Sequence, residues 1–197
     1  MNSIRLAVLG STNGTNMLRL FSAIQQQQLA ATIDVVLSNQ LEAKILLRAQ
    51  EHNVPAVFID AKQTTRDEYD QLISAQLRLF DIDLIVLIGY MRILSAAFID
   101  DWRGKIINVH PSLLPAFAGK MDRQVHQAVL DAGVTESGCT VHLVTELVDA
   151  GPIVIQKKCP VFPNDSVDNL RSRVQQLEGE ALIEAIQKIM KDDHEHD

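Results

Sequence analysis

Short apolar runs with no polar alternation constrain the fold of this chain more than any other feature of its sequence. Strands with this pattern are buried on both faces, as in parallel sheets that helices cover. Longer segments with the apolar spacing of helices separate the runs, and this alternation is typical of right-handed βαβ units. The pattern therefore predicts an α/β fold with a doubly wound, mostly parallel sheet and helices on both faces. The predicted strands are Ile4–Leu9, Ile33–Leu37, Ala56–Ile59, Leu84–Gly89 and Ile106–Val109. The predicted helices are Asn16–Gln28, Leu41–His52 and Arg66–Leu79.

The pattern changes after Pro111, where two longer strand-like segments follow. These segments are Gly138–Leu147 and Ile153–Phe162, and the sequence Asp149-Ala-Gly-Pro152 between them is a turn signal. Two strands joined by a turn pair antiparallel. We therefore expect an antiparallel C-terminal strand pair on the same sheet.

A helix and an acidic tail complete the chain. Asp165 or Ser166 is expected to cap this last helix, which runs to about Lys191. The tail beyond it, with His194 and His196, is interpreted as a solvated helix end. Because the sequence of 197 residues has no linker and no internal repeat, we expect a single domain.

Composition and charge exclude several classes of protein. Lys and Arg number 18 against 25 Asp and Glu, which gives a net charge of −7, and aromatic residues make up 5%. A nucleic-acid surface needs a basic stripe and stacking aromatic rings, so no nucleic-acid partner is expected. No apolar run approaches the roughly 20 residues of a membrane span, and no signal peptide is recognisable, so we expect a cytoplasmic protein without membrane contact. Cys139 and Cys159 are expected to be reduced and buried, and no metal-site spacing includes them.

A loop of small residues, Gly10 to Asn16, joins the first predicted strand to the first predicted helix. Backbone N–H groups in such a loop can approach an anion, and the start of a helix adds partial positive charge. The loop lacks the lysine of a P-loop and the third glycine of the dinucleotide motif. A phosphate site and an ordinary strand-to-helix turn both remain open interpretations.

Asn108 and His110 lie at the carboxyl end of a predicted buried strand. Being two residues apart, they point to the same side, and open α/β sheets bind ligands beyond this end of their strands. An amide and an imidazole side by side suit a developing oxyanion. A hydrogen-bonded core histidine would give the same pattern.

Asp149 lies in the turn of the predicted strand pair, where an aspartate commonly stabilises the turn itself. If that turn lies over His110, its carboxylate would raise the imidazole pKa and keep the ring cationic near neutral pH.

Taken together, these segments resemble the phosphoribosylglycinamide formyltransferases of purine synthesis, over nearly the whole chain. The Asn-x-His motif and the later aspartate are shared by formyltetrahydrofolate-dependent formyltransferases, and the Asn-Gly-Thr-Asn loop selects the glycinamide ribonucleotide branch. The residues that carry the resemblance are Ser11-Thr-Asn-Gly-Thr-Asn16, Asn108-Val-His-Pro-Ser-Leu-Leu-Pro115 with Phe117 and Gly119, Gly138-Cys-Thr-Val-His142, and Val148-Asp-Ala-Gly-Pro152.

The resemblance implies an enzyme that transfers the formyl group of its co-substrate 10-formyltetrahydrofolate to the amine of glycinamide ribonucleotide, without a metal. The implied catalytic residues are Asn108, His110 and Asp149. The implied contacts to glycinamide ribonucleotide are Asn13, Gly14, Thr15, Asn16, Gln175 and Glu178. The implied contacts to the folate are Arg66, Met91, Arg92, Ile93, Leu94, Asn108, Thr145, Glu146, Leu147, Val148 and Asp149. Residues 1 to about 100 would form a phosphate-binding half, and residues from about 101 to 191 a catalytic and folate-binding half.

Two departures from the family pattern bear on this assignment. Thr12 stands where the family usually has a glycine, and a β-branched residue there is strained if φ is positive. The stretch from Gly119 to His126 is longer than in the commonest members, which leaves the role of His126 open.

Two other functions remain as alternatives. In a 10-formyltetrahydrofolate hydrolase, water would replace the amine at the same residues, although such proteins usually carry an extra N-terminal domain for which this chain has no room. A non-catalytic nucleotide-binding module would use the Ser11 to Asn16 loop alone. The partners expected are the two small-molecule substrates, and the resemblance leaves room for a homodimer.

Overall fold

A computed structural model describes residues 3–194. Seven strands form one sheet in the order β3-β2-β1-β4-β5-β6-β7. The strands are β1 (Ile4–Leu9), β2 (Ala31–Ser38), β3 (Ala56–Phe58), β4 (Leu84–Leu87), β5 (Ile106–His110), β6 (Glu136–Leu143) and β7 (Ile153–Pro160). The helices are α1 (Thr15–Gln25), α2 (Lys44–Glu51), α3 (Arg66–Leu77), α4 (Ala96–Asp101), α5 (Arg123–Asp131) and α6 (Val167–His194).

The chain divides into two compact units, one that ends at Ile107 and one that begins at Asn108. In the first unit, β1 pairs in parallel with β2 and with β4, and β2 pairs in parallel with β3. The side chains of β1 and β4 are almost entirely buried, as strands covered on both faces must be. The helix α3 begins at Arg66, as the sequence predicts, because Thr65 and Glu68 form a capping box.

In the second unit, β6 and β7 pair antiparallel, and α6 packs on both strands. Ser166 caps α6 by accepting the Asn169 N–H at 3.2 Å. Asp165 instead accepts the Phe162 N–H at 2.8 Å and pairs with Arg173 at 2.7 Å. The doubly wound α/β fold with its antiparallel C-terminal pair is therefore confirmed, and Ser166 is the capping residue.

Several boundaries differ from the prediction, and two helices were not predicted. The helix expected from Leu41 begins at Lys44, because a turn closed by the Ala43 N–H on the Gln40 carbonyl at 3.2 Å precedes it. The helix α4 has six residues, too few for an apolar period to show. In α5, only Val125, His126 and Val129 are buried within a polar stretch.

Between residues 3 and 194, no helix is both long enough and apolar enough to cross a membrane. Both cysteines are free thiols and buried, and burial raises the pKa of Cys139 to about 12. The prediction for the acidic tail falls largely on residues 195–197, which lie outside the described residues.

Candidate active site

Asn108 and His110 lie on β5, and their side chains leave the same side of the strand. The amide nitrogen of Asn108 is 3.3 Å from Nε2 of His142, a residue of β6. The other ring nitrogen of His142 donates to the Leu143 carbonyl at 2.9 Å. In a neutral His142 this leaves Nε2 as the acceptor of the Asn108 amide. The pair therefore fixes the orientation of both side chains.

The Asp149 carboxylate faces two imidazoles. Its Oδ2 atom is 3.3 Å from Nδ1 of His110, and its Oδ1 atom is 3.6 Å from Nε2 of His142. Oδ2 also accepts the Gly119 N–H at 2.8 Å. The turn that carries Asp149 therefore lies over His110. This is the arrangement in which the carboxylate can act on the imidazole as well as shape its own turn.

The charge of His110 differs from the prediction that this ring is cationic near neutral pH. Burial lowers the pKa of His110, and the Asp149 charge and the Phe117 carbonyl raise it only in part. The prediction that Asp149 keeps His110 cationic at neutral pH is therefore wrong, because desolvation outweighs the carboxylate. Burial also raises the pKa of Asp149, but the contact with His142, the hydrogen bond from the Gly119 N–H and the nearby His110 ring outweigh it, so that this pKa lies below its ordinary value.

The turn between β6 and β7 places Asp149 by close backbone packing. A side chain at Gly151 would put its Cβ 1.8 Å from the Leu143 carbonyl oxygen, so only glycine fits. The Leu143 N–H donates to the Pro152 carbonyl at 2.9 Å and closes the turn. Asp149 has φ of 53°, a left-handed conformation that aspartate tolerates better than most residues.

A buried hydrogen-bond network holds the loop after β5. The Thr140 hydroxyl donates to the Ser112 carbonyl at 2.7 Å and accepts the Leu114 N–H at 3.0 Å. Gln156 donates to the Leu114 carbonyl at 2.8 Å. This loop brings the Phe117 carbonyl to 3.3 Å from Nε2 of His110. Both ring nitrogens of His110 therefore face oxygen acceptors, and both can carry hydrogen only in the imidazolium form.

The loop before α1, in the first unit, has the features of an anion site. Gly14 has φ of 66°, and a Cβ there would lie 2.4 Å from Ile45. No side chain caps α1, and its first turn holds no acidic residue, so no side-chain charge of that turn neutralises the partial positive charge at the helix start. Arg48 donates to the Asn13 carbonyl at 2.6 Å and adds a cation beside the loop.

Thr12 is not strained, since it is absent from the positive-φ residues of the described chain. The concern that a threonine there needs a left-handed backbone is therefore resolved. Of the other residues predicted in this loop, Asn13 is exposed, Thr15 is half-buried and Asn16 is buried.

The remaining predicted folate residues of the first unit lie on α3 and after β4. Arg66 is the exposed first residue of α3. Met91 and Ile93 expose 41% and 47% of their side chains, and Leu94 is buried. The Met91 N–H already donates to the Ser11 hydroxyl at 2.9 Å. The Arg92 guanidinium lies 4.3 Å above the Tyr69 ring, a cation–π contact within the protein.

In the second unit, the turn from Thr145 to Asp149 exposes two large apolar side chains, Leu147 at 72% and Val148 at 48%. Glu146 is exposed and Thr145 is half-buried. Gln175 and Glu178 are half-buried on α6.

Within the second unit the structure brings Asn108, His110 and Asp149 together, and it adds His142, for which the sequence analysis gave no role. A signal was present, since His142 ends a run of buried residues on β6 and a buried histidine needs polar partners. His126 is also buried, and its Nδ1 atom has no hydrogen-bond partner. No group of three or more His, Cys, Asp or Glu among residues 3–194 is arranged to hold a metal ion.

A doubly wound α/β protein with an amide, two imidazoles and a carboxylate in contact has the groups that acyl transfer requires. The chain belongs to the formyl transferase family, whose model matches residues 4–186.

Relatives of this chain include single-activity and trifunctional proteins. A phosphoribosylglycinamide formyltransferase from Haemophilus influenzae is 41% identical over 175 residues, which cover 88% of this chain and 81% of that protein. The trifunctional purine biosynthetic protein adenosine-3 from Gallus gallus is 42% identical over 189 residues, or 95% of this chain. This chain spans only 18% of the length of that trifunctional protein.

Solved structures show the same fold. A phosphoribosylglycinamide formyltransferase from Brucella melitensis matches with a TM-score of 0.89 and 38% identity, over 95% of this chain and 96% of that chain. A formyltetrahydrofolate deformylase from Pseudomonas syringae matches with a TM-score of 0.88 and 25% identity, over 97% of this chain and 62% of that chain. The predicted resemblance and the predicted fold are both confirmed.

Proposed function

We propose that this chain transfers the formyl group of 10-formyltetrahydrofolate to the amine of glycinamide ribonucleotide, a step of de novo purine synthesis. The observation that carries the proposal is the Asp149 carboxylate in contact with His110 and His142, beside Asn108, in a member of the formyl transferase family. The relatives named phosphoribosylglycinamide formyltransferase support the choice of acceptor.

The reaction starts when the amine attacks the formyl carbon and the formyl oxygen becomes an oxyanion. The Asn108 amide would donate a hydrogen bond to it, and such donors typically contribute roughly 10²–10³ in rate. Burial keeps His110 largely neutral at the start, so its ring can take the proton that the attacking amine loses. The bond from the formyl carbon to the folate nitrogen then breaks, and this nitrogen takes the proton from His110.

Asp149 would stabilise the imidazolium formed in this way, since its Oδ2 atom already lies 3.3 Å from Nδ1 of His110. The Phe117 carbonyl at the other ring nitrogen adds to that stabilisation. Both bonds strengthen only after the proton arrives, which is how a site favours the transition state over the ground state. No step requires a metal.

Each substrate is assigned to particular segments. The uncapped start of α1 would bind the phosphate of glycinamide ribonucleotide through Asn13 to Asn16, with Gln175 and Glu178 as further contacts. The folate would contact Arg66, Met91–Leu94 and Thr145–Asp149. The segments Met91–Leu94 and Thr145–Asp149 both expose apolar side chains, which suit an aromatic ring system. A cytoplasmic location and a homodimer stay predictions.

A second candidate is hydrolysis of 10-formyltetrahydrofolate, with water as the nucleophile at the same cluster. The fold match to the Pseudomonas syringae deformylase favours it as the alternative.

The test is the rate of loss of 10-formyltetrahydrofolate with and without glycinamide ribonucleotide. Loss that depends on the amine supports the transferase, and equal loss in its absence supports the hydrolase. An inactive protein that binds the ribonucleotide would point to the binding module.

A further inference from the structure

Asp70 is a buried acid that the proposed reaction does not use. It lies on α3 with only 2% of its surface exposed. One carboxylate oxygen, Oδ2, accepts the backbone N–H of Ser95 at 2.6 Å, and the other, Oδ1, is buried without a hydrogen-bond partner. Burying a carboxylate costs stability unless it is fully paired, so an apolar side chain would serve the core better. Its presence needs a reason beyond packing.

Asp70 holds the Ser95 end of the segment from Met91 to Ser95. The Met91 N–H is fixed at the other end by the Ser11 hydroxyl at 2.9 Å. The hydroxyl of Ser95 accepts the Phe98 N–H at 3.2 Å and caps α4. Ser95 is thus held by its own N–H and by its side chain. Hydrogen bonds therefore fix the backbone at Met91 and at Ser95, on either side of residues 92–94.

The neighbour of Asp70 on α3 holds the middle of the segment. The Tyr69 ring, which is 1% exposed, lies 4.3 Å below the Arg92 guanidinium. The Arg92 charge also attracts the Asp70 carboxylate and offsets part of the rise in its pKa that burial causes. Two consecutive residues of one helix therefore fix both the backbone at Ser95 and the side chain at Arg92.

We propose that Asp70 is a positioning residue for the folate co-substrate, acting through the Ser95 N–H on the backbone of residues 91–95. The proposal rests on the proposed function, in which this segment contacts the folate. A backbone surface that binds a rigid ring must itself be held in one place, and a charged acceptor makes a stronger bond to an N–H than a neutral one.

The experiment compares Asp70→Leu with Asp70→Asn. Leucine has a similar size, carries no charge and cannot accept the Ser95 N–H, whereas asparagine keeps an acceptor oxygen. Asp70→Leu removes the cost of a buried charge but leaves the buried Ser95 N–H without its acceptor, so the Tm of each variant is measured first to establish that it folds. The matched control is Ser74→Ala, one turn further along α3, which instead removes the acceptor of the part-buried Trp102 indole N–H.

Binding of tetrahydrofolate and of glycinamide ribonucleotide is measured by calorimetric titration. We expect Asp70→Leu to weaken tetrahydrofolate binding by about tenfold or more, with ribonucleotide binding unchanged within about twofold. Asp70→Asn should recover most of the lost affinity, and Ser74→Ala should bind both ligands as the wild type does. If the leucine variant does not fold, Asp70→Ser replaces it, because its side chain is too short to reach the Ser95 N–H.

An unchanged tetrahydrofolate affinity in Asp70→Leu, or an equal loss for both ligands, would overturn the inference and leave the proposed function standing. A wild-type protein that does not bind tetrahydrofolate would overturn the proposed function and this inference together.

Discussion

Asp149 is the residue on which the account of catalysis depends most, because its carboxylate contacts both buried imidazoles. Asp149→Asn keeps the shape and a hydrogen-bonding group but removes the charge. The pKa of His110, which burial already lowers, should then fall further, since Asp149 is its main opposing influence. We expect the single-turnover rate to drop by roughly 10²-fold or more, with ribonucleotide affinity nearly unchanged.

NMR titration of His110 in the wild type and in Asp149→Asn checks the predicted fall in its pKa. Single-turnover rates of the two proteins check the predicted loss of activity. An unmoved pKa together with normal turnover would mean that Asp149 only shapes its turn.

His126 gives a second prediction, which concerns stability. Burial and the charge of Arg171 lower its pKa to about 4, whereas the unfolded chain titrates at about 6.5. The unfolded state therefore binds more protons between these values, so stability is fully present above pH 6.5 and is lost as the pH falls toward 4. The difference between a pKa of about 4 and one of about 6.5 corresponds to a loss of at most about 3 kcal/mol from this residue.

Urea unfolding at pH 7.5 and at pH 4.5 measures the effect. The variant His126→Phe should lose less stability over this interval than the wild type, since all other titrating groups are common to both proteins. An identical loss in the two proteins would show that the ring is not held neutral by burial.

At the residue level, the strand end and the turn signal marked Asn108, His110 and Asp149 as candidates, and only the resemblance to a family gave them a catalytic role, which stays a prediction. The charge of His110 was not predictable, because burial of the ring, which depends on the folded chain around it, outweighs the opposing effects of Asp149 and the Phe117 carbonyl. His142 was missed for the same reason, since only the register of β6 reveals that it faces the carboxylate.

At the level of single elements, the start of α1 carries the prediction for phosphate binding. Gly14→Val introduces a side chain where φ is 66° and where Ile45 leaves no room. The loop must shift, so the KM for glycinamide ribonucleotide should rise by about tenfold or more while the KM for the folate changes little.

Gly133→Val is the matched control, because Gly133 also has a positive φ of 62° but no atom lies within 4 Å of an added Cβ. It carries the same conformational cost without disturbing the loop. Steady-state kinetics with each substrate varied in turn separates the cases, and an equal rise of both KM values in Gly14→Val would count against the phosphate assignment.

The strands were predictable from their short, uninterrupted apolar runs, and the long helices from an apolar spacing that extends over many residues. The short helix α4 was not, since its start depends on the Ser95 cap and on Asp70, which lies 25 residues away in the sequence. The helix α5 was not predicted because it begins after Asp122, which has φ of 43°. No local sequence pattern indicates this backbone conformation.

For the whole molecule, the alternation of buried strands and helices up to residue 107 and the strand pair after it were sufficient to predict the fold class, but not the order of the strands in the sheet. The particular reaction did not follow from that topology, because the same fold serves a deformylase and formyltransferases alike. The resemblance in the Asn-Gly-Thr-Asn loop, rather than the fold, selected the acceptor.

The destination of the formyl group tests the central claim most directly. Carbon-13 is placed in the formyl group of 10-formyltetrahydrofolate, and the products of a single turnover with glycinamide ribonucleotide are separated by mass spectrometry. If the chain is the proposed transferase, the label appears on the amine of the ribonucleotide, and Asn108→Ala slows this transfer by roughly 10²–10³. Label recovered only as free formate, at the same rate with and without the ribonucleotide, would contradict it.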